Sequence, residues 1–431
     1  MKKDSRNISP GQGIGKYRDI LYPVLLFFLS FNFYLFFLSA NYNFDGVVFA
    51  LFLKEAIVTG NPFIHPHYQH PLYQPLVFGI YKLLFLKIDP LIYLQVLDAV
   101  AGALSTALFY LLALKIAGDR IASVFLSLAF SFSFAIWYFS TDSEIHIFSV
   151  LFIILSLLFL ERENLKLSAV FAAMACMFHI TNIFFLVALL IYRGKKVILY
   201  SLPVLSIYII FPIIKGKEFL GWFLSHFTRS SRNWFSIPGL GEFTQHLLSF
   251  AKCISPVYLF SVPVFLLALL LMYRYRLKLP WYWFSLVFLF FLFWVPGNFE
   301  FKTVLVPAVF ISFARIKRRE AGIILAILLL IFNFSYFMRR ADPHTNRAMQ
   351  LSEKIASITE PDAWIYVEPE NKEMILQKAY LIYFFSRKSS YWHGAPLNCS
   401  HPSYLLTRRI LPVKGISIYD GIFLYKLCEL K

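Results

Sequence analysis

The chain has 431 residues, of which 59% are hydrophobic, 19% aromatic and 15% charged, and its mean hydropathy is +0.64. This composition lies outside the range of soluble globular domains and is typical of a polytopic membrane protein. The net charge of +17 does not indicate nucleic-acid binding. The basic residues fall in short clusters between apolar spans, where the positive-inside rule expects them, and share no face or nucleic-acid module.

The N-terminal region consists of a polar, basic tail (1–20) followed by an uncharged apolar run (21–40). At about 1.5 Å per residue the run is long enough to span a bilayer. No A-x-A cleavage site follows, so we expect a retained first helix and a cytoplasmic tail. Residues 41–90 then form an outer loop with two surface helices, 47–58 and 72–88. The second is placed on the surface because this puts Lys115 and Arg120 inside.

The rest of the apolar region is predicted to complete about eleven transmembrane helices within a domain covering 21–340. Residues 167–192 have basic flanks on both sides, which requires an even number of crossings. We therefore expect two half-helices that meet at 178–182, since a broken helix is tolerated where it lines a polar cavity. A second outer loop is predicted at 215–252. The remaining single spans are predicted at 91–114, 121–139, 148–160, 197–214, 254–273, 281–296, 303–314 and 320–338.

The C-terminal region, 341–431, is predicted to form a small extracytoplasmic α/β domain. Its pattern indicates helices at 348–358 and 372–385, a strand at 364–367, and a hairpin turn at Tyr419-Asp420-Gly421. The fold class is thus an all-α polytopic membrane protein with a small α/β domain. Cys399 and Cys428 either pair or stay as thiols, and no CxxC or zinc spacing occurs.

This topology brings a set of ionisable side chains to the outer side of the membrane. An acid at the mouth of a helix bundle, with cations around it, suits transfer of a sugar from a polyprenyl phosphate to a hydroxyl. The acid would take the acceptor proton while the cations stabilise the departing phosphate. The set comprises Asp45, His65, His67, His70, Asp142, Glu144, His146, His179, Glu300 and Lys302.

Two acids are the candidate catalytic residues, and each has a structural alternative. Asp45 lies just past the first span, where partial desolvation would tune its pKa, and is the candidate general base. Alternatively, it caps a helix that starts at Gly46. Glu144 contributes to the active site or, at the start of a helix, favours the helix dipole.

The other candidates also leave alternatives open. His65, His67 and His70 contact phosphate or sugar, bind a metal, or stabilise a proline-rich turn. Lys302 binds the lipid phosphate or pairs with Glu300 at the surface. Asp98 is a functional candidate because it is an ionisable group inside a span, but pairing with Gln95 or His179 is the alternative that we favour. Asp142, His146 and Glu300 have supporting roles.

Four local patterns resemble the GT-C superfamily of polytopic glycosyltransferases. The likeness is to protein O-mannosyltransferases, and to the related DUF2723-type bacterial proteins and aminoarabinose transferases of lipid A. The resemblance covers about residues 20–200. The patterns are Phe44-Asp45-Gly46 after the first helix, His70-Pro71-Leu72-Tyr73 in the first loop, Trp137 with Glu144 before a helix, and His179-Ile180-Thr181 between half-helices.

The resemblance implies that Asp45 is the catalytic or acceptor-activating residue and that His179 and Lys302 contact the lipid phosphate. It also implies two surface helices in the first outer loop. The sequence departs from the family pattern at Val47, where a second acid often follows, at His146, where a tyrosine is expected, and at Leu72 in the HPPG-like turn. These differences leave the sugar and the acceptor open.

The sequence therefore predicts an inverting glycosyltransferase of the bacterial or archaeal plasma membrane. Its partners are a polyprenyl-phosphate sugar, a protein, lipid or glycan acceptor, and membrane lipids. No cofactor is expected, since a donor with one phosphate leaves little charge for a divalent metal to neutralise. The alternatives are a transporter or flippase of a lipid-linked solute, and a glycan ligase or polymerase. A transporter would be expected to carry charged residues deep within several helices and an internal repeat.

Overall fold

The computed structural model describes residues 11–64, 69–84, 86–214, 240–254, 261–294, 298, 300–368, 372–392, 401–408, 416–419 and 422–427. Several predictions concern residues outside these ranges. They include the roles of His65 and His67, the pairing of Cys399 with Cys428, and the outer loop over 215–239.

The first half of the chain is a bundle in which α4 occupies the centre and packs against α1, α5 and α7. Its helices are α1 (Gly11–Phe36), α2 (Phe44–Thr59), α3 (Tyr73–Leu83), α4 (Pro90–Ala117), α5 (Arg120–Phe132), α6 (Phe134–Thr141), α7 (His146–Glu161), α8 (Leu165–Phe178), α9 (Ile183–Arg193), α10 (Lys196–Leu205) and α11 (Ile207–Ile214).

The second half adds helices that close the bundle and then lead to the C-terminal domain. The long helix α16 packs along α5. The helices are α12 (Leu240–Ile254), α13 (Ser261–Arg274), α14 (Lys278–Phe291), α15 (Val306–Ala314), α16 (Arg319–Ala341), α17 (Arg347–Ile358) and α18 (Lys372–Phe385). Short 3₁₀ turns occur at Ile180–Asn182, Glu300–Leu305 and Pro343–Thr345.

Within the described residues, α4 and α16 are long and apolar enough to cross a membrane, and the bent pair α5–α6 is a third candidate. The described part of the chain is mostly helical. The count of eleven spans, the surface position of α2 and α3, and the side of each terminus stay predictions.

The helix break predicted at 178–182 is confirmed. α8 ends at Phe178, His179 is extended (φ −159°, ψ 121°), and α9 starts at Ile183 after a 3₁₀ turn. The Asn182 side chain donates to the carbonyls of Ala175 (2.8 Å) and His179 (2.9 Å). The break removes the helical partners of the Cys176 and Phe178 carbonyls, which instead accept the Tyr208 hydroxyl (2.6 Å) and Nδ1–H of His70 (2.7 Å). Satisfying the freed backbone groups in this way is the condition for a break inside a membrane bundle.

Three predicted elements need correction. The span at 121–139 is a pair of helices bent by 62°, because Ser133 is extended and its hydroxyl donates to the Phe130 carbonyl (2.6 Å). The span at 197–214 is divided at Ser206 into α10 and α11. The outer loop predicted to reach residue 252 contains α12, whose amphipathic pattern was hidden by its polar composition.

The C-terminal domain has the predicted helices (α17, α18), the predicted strand and the two strands of the predicted hairpin. Its five strands are β1 (Trp364–Val367), β2 (Lys388–Tyr391), β3 (Ser403–Thr407), β4 (Ile416–Tyr419) and β5 (Ile422–Lys426). The order across the sheet is β2-β1-β3-β5-β4, with β1 parallel to β2 and β3, and β5 antiparallel to β3 and β4. β2 and β3 were missed in the sequence.

The C-terminal domain docks on the segment that joins α1 to α2. The Asn346 amide donates to the Ala40 carbonyl (2.6 Å), and the Tyr380 hydroxyl donates to the Tyr42 carbonyl (3.1 Å). The Tyr383 hydroxyl donates to Asp89 (2.8 Å) at the start of α4. The domain is thus bonded to the backbone of the loop that precedes Asp45.

Candidate active site

Asp45 lies in the first turn of α2 and is exposed. The N-cap position belongs to Asn43, so the alternative in which Asp45 caps the helix is wrong. A carboxylate in the first turn is still favoured by the helix dipole. The expected tuning of its pKa by partial desolvation stays a prediction, and the side chain is exposed to solvent. Asp45 is therefore accessible to an acceptor hydroxyl.

Gly46 lets the first turn of α2 lie directly on the loop that carries Glu144. A Cβ atom at position 46 would lie 2.2 Å from Oγ and 2.7 Å from the carbonyl oxygen of Ser143. Because one of these atoms is backbone, a rotamer change cannot relieve the contact. The glycine in the Phe44-Asp45-Gly46 pattern therefore has a packing role: it permits the close approach of the two acidic segments.

We expect Gly46→Ala to destabilise the protein by about 1–3 kcal/mol, as overpacking does in closely packed interiors. It should also lower activity, since α2 would move away from Ser143. Gly79→Ala is the matched control, because Gly79 is also helical and a Cβ there would meet nothing within 4 Å. Thermal unfolding in detergent measures the difference. Equal melting temperatures for the two variants would contradict the packing role of Gly46.

Glu144 is buried and held from two sides. The Asn43 amide donates to its Oε1 (3.1 Å), and its backbone N–H donates to Oδ2 of Asp98 (2.7 Å). α7 begins at His146, two residues further on. The hydrogen bond from Asn43 places the Glu144 carboxyl against the start of α2. An interaction with the dipole of its own helix, α7, is therefore not its only role. Asn43 was not singled out in the sequence.

Asp98 does not make the pairing that the sequence analysis favoured. Its Oδ2 accepts the backbone N–H of Glu144, and its buried Oδ1 has no hydrogen-bond partner. Gln95 instead donates to the carbonyls of Ser39 (2.7 Å) and Thr141 (3.1 Å). The reason is geometric: Gln95 and Asp98, both on α4, bond backbone groups in the segments where α1 and α6 end. Asp98 supports the position of Glu144.

Asp142 is buried and forms an ion pair with Arg340, at the end of α16. The Arg340 guanidinium also donates to Oγ (3.1 Å) of Ser39 and to the carbonyl oxygen of Asn41 (3.0 Å), and lies 3.9 Å from the centroid of the Tyr138 ring. Asp142 further accepts the Asn43 backbone N–H (3.3 Å). Arg340 therefore connects α16 to both acidic segments, and sequence reasoning missed it.

Burial raises the pKa of the Glu144 carboxyl well above its usual range. The negative charges of Asp45, Glu300 and Asp142 raise this pKa further, and the hydrogen bond from Asn43 opposes the change. Burial also raises the pKa of Asp142, against the charge of Arg340. The 3₁₀ turn Glu300–Leu305 packs against α6 and α7, the two helices joined by the loop that carries Glu144.

The raised pKa of Glu144 predicts a pH dependence of stability. A group whose pKa is higher in the folded state contributes stability below its unfolded pKa, and this is lost as pH rises through the folded pKa. Wild-type melting temperature should therefore fall with rising pH, and Glu144→Gln, which resembles the neutral acid, should flatten this fall. Melting curves from about pH 4 to about pH 9 test it. Identical slopes for both proteins would contradict the assignment.

Three histidines from different elements lie in a row. The His179 ring centroid is 4.8 Å from that of His70 and 4.9 Å from that of His146, and all three are buried. His70 donates from Nδ1 to the Phe178 carbonyl (2.7 Å), whereas Nδ1 of His179 accepts the Thr181 backbone N–H (3.2 Å). In the neutral forms, the proton of His70 is therefore on Nδ1 and that of His179 on Nε2.

Lys302 is buried rather than at a surface. Its Nζ donates to the Asn298 carbonyl (2.6 Å) and lies 5.2 Å from the centroid of the Phe291 ring. The ring of neighbouring Phe301 lies 5.3 Å from that of His179. The position at the surface that was assumed for a pair with Glu300 is therefore wrong. A cation at this depth, close to the histidine row, fits an anionic ligand.

The structure thus gathers most of the predicted site residues at one end of the bundle: Asp45, His70, Asp98, Asp142, Glu144, His146, His179, Glu300 and Lys302. His65 and His67 lie outside the described residues. Within the described part of the chain, no group of three or more His, Cys, Asp or Glu side chains is arranged to hold a metal ion. The site combines an exposed acid (Asp45), a buried carboxyl with a raised pKa (Glu144) and a buried lysine (Lys302).

Comparison with known proteins identifies the fold. No family model and no curated protein matches the chain. Among solved structures, it is similar to ArnT from Cupriavidus metallidurans, crystallised bound to undecaprenyl phosphate. The TM-score is 0.62, with 10% sequence identity over 96% of this chain and 98% of that one. The expected GT-C fold is confirmed. At this identity the likeness establishes the fold and assigns no role to a residue.

Proposed function

We propose that this protein is a membrane glycosyltransferase that moves a sugar from a polyprenyl-phosphate donor to a hydroxyl acceptor at the outer side of the membrane. The observation that carries the proposal is the meeting of Asp45 and Glu144 beside the histidine row, on a fold shared with ArnT, which was crystallised with undecaprenyl phosphate. The GT-C fold supports the general kind of activity.

In the proposed mechanism, Asp45 is the general base. The acceptor oxygen attacks the anomeric carbon of the donor sugar while its proton passes to the Asp45 carboxylate. The bond from that carbon to the phosphate oxygen breaks, and its electron pair stays on the released polyprenyl phosphate. One displacement inverts the configuration at the anomeric carbon. Because Asp45 is exposed, an acceptor can reach it without opening the bundle.

Glu144 has a supporting role in this mechanism. Its raised pKa favours the neutral form, so the pair with Asp45 carries one negative charge rather than two. In this proposal Glu144 holds the proton of the pair, and the Asp45 carboxylate accepts the proton of the acceptor hydroxyl. The amide of Asn43 fixes Oε1 of Glu144, which would orient the neutral carboxyl toward the donor sugar.

The cations of the site are proposed to bind the donor phosphate. Lys302 supplies a buried positive charge, and the tautomer of His179 presents an N–H from Nε2. Both stabilise the charge that develops on the leaving phosphate, and they do so more strongly in a site that excludes water. A donor with one phosphate needs less neutralisation than a diphosphate, so we propose a mechanism without a divalent metal.

The experiment is an assay of the purified protein in detergent with a panel of radiolabelled polyprenyl-phosphate sugars. We expect transfer to an acceptor, or slow donor hydrolysis, with at least one sugar of the panel. Vesicles containing the protein test the alternative class of function: uptake of a solute without any sugar product would favour a transporter. Absence of both transfer and hydrolysis across the panel would overturn the proposal.

A further inference from the structure

A groove of about 250 Å³ lies at the end of α16 away from Arg340. α16 has 23 residues, so its two ends are about 33 Å apart, and the groove is well separated from the candidate active site. The groove exists because three helices carry small side chains there: Ala122 on α5, Ala314 on α15 and Ala321 on α16. The groove is independent of the proposed transfer chemistry.

The lining of the groove is apolar and reaches the outside of the bundle. Leu267 on α13 and Leu328 on α16 both line it and are 44% and 41% exposed. In a membrane, such a hollow between helices is in contact with acyl chains and not with water. Hydrocarbon is therefore the chemistry that fits its walls.

The mouth of the groove is basic. Lys317 and Arg318 line it, both are exposed, and neither has an ion-pair partner within the described part of the chain. Neighbouring Arg319 is bound to Asp119 (2.7 Å), which leaves Glu320 as the other nearby carboxylate. Nε of Arg315, at the end of α15, is buried without a hydrogen-bond partner. The cations exceed the carboxylates at this end.

We propose that this groove binds one acyl chain of an anionic phospholipid, with Lys317 and Arg318 at the phosphate of its headgroup. Basic pockets between transmembrane helices select anionic lipids because the chain is buried between the helices while the headgroup phosphate meets the cations. A neutral lipid would satisfy the apolar walls but leave the two cations uncompensated. A free phosphate would meet the cations but leave the hollow unfilled.

Native mass spectrometry of the full-length protein in detergent tests this proposal, with phosphatidylglycerol and phosphatidylcholine of identical acyl chains as probes. We expect phosphatidylglycerol to bind more tightly. Each cation near an anionic headgroup is worth about fivefold, so Lys317→Gln/Arg318→Gln should weaken phosphatidylglycerol binding about 30-fold. The matched control is Lys195→Gln/Lys196→Gln, an exposed basic pair outside the groove, which should bind like wild type.

Two further variants test the hollow itself. Ala321→Phe should fill the groove and reduce lipid binding, whereas Ile327→Phe, on the same helix but outside the lining, should not. Equal losses of phosphatidylglycerol binding in Lys317→Gln/Arg318→Gln and in the control Lys195→Gln/Lys196→Gln would overturn the proposal in favour of unspecific attraction. So would competition by inorganic phosphate, which would assign the cations to the free ion. If Ala321→Phe does not fold, the charge variants, which alter exposed side chains, decide the outcome.

Discussion

Asp45→Asn is expected to lower sugar transfer by about 10²- to 10⁴-fold, the range that a positioned general base contributes. Asparagine keeps the size and the polar contacts of the side chain but cannot take the acceptor proton. Because the donor phosphate would be bound by Lys302 and the histidine row, donor affinity should stay close to that of wild type. The measurement is a comparison of kcat, from the radiolabelled transfer assay, with donor binding.

Glu55→Gln provides the control for this variant. Glu55 lies on the same helix, α2, and is also an exposed carboxylate, but it is about three turns from Asp45. The Gln variant should transfer sugar at the wild-type rate. Full activity in Asp45→Asn would remove Asp45 as the base. Loss of donor binding together with turnover would instead assign Asp45 to substrate binding.

Arg340→Met is expected to destabilise the protein by about 3–5 kcal/mol, because it leaves Asp142 buried without its cation. The loss should extend to activity, since Arg340 also bonds Ser39 and the Asn41 carbonyl, next to Asn43. Thermal unfolding in detergent gives the stability. The double variant Asp142→Asn/Arg340→Met should be less destabilised than the sum of the two single variants, because it removes the uncompensated charge.

Arg319→Met is the matched control. Arg319 is the first residue of α16, whereas Arg340 lies near the other end of the same helix. Like Arg340, Arg319 pairs with an aspartate, Asp119. That pair is exposed to solvent, and exposed ion pairs contribute little to stability. We therefore expect a small change in melting temperature for Arg319→Met and a large one for Arg340→Met. Similar changes in both would mean that burial does not set the strength of the Asp142 pair.

Elements that depend on local pattern were predicted well from the sequence. The strand over 364–367 and the helix over 372–385 have the predicted limits, and the break at His179 follows from basic flanks on a segment of one span's length. β2 and β3 were missed because pairing with β1, distant along the chain, stabilises them. The bend at Ser133 also escaped prediction, since nothing in the hydropathy of 121–139 interrupts the span.

The candidate site was predicted in part. Asp45, Glu144, His70 and His179 were selected from short patterns, and the structure places them at one end of the bundle. Their connections were not predictable locally: Asn43 and Glu144 are 101 residues apart, and Arg340 and Asp142 are 198 apart. One signal was available for Arg340. An arginine at the predicted outer end of a span opposes the positive-inside rule, and such a residue needs a partner.

The docking of the C-terminal domain has a consequence for biosynthesis. The backbone carbonyls of Ala40 and Tyr42 are bonded by Asn346 and Tyr380, which leave the ribosome some three hundred residues later. The loop between α1 and α2 is therefore synthesised early, but the hydrogen bonds that hold it form only after the C-terminal domain has been made. A product truncated before α17 would have most of the helices but would lack the hydrogen bonds of Asn346 and Tyr380 to that loop. Under the proposed function, only the full-length chain would have the loop before Asp45 held in place.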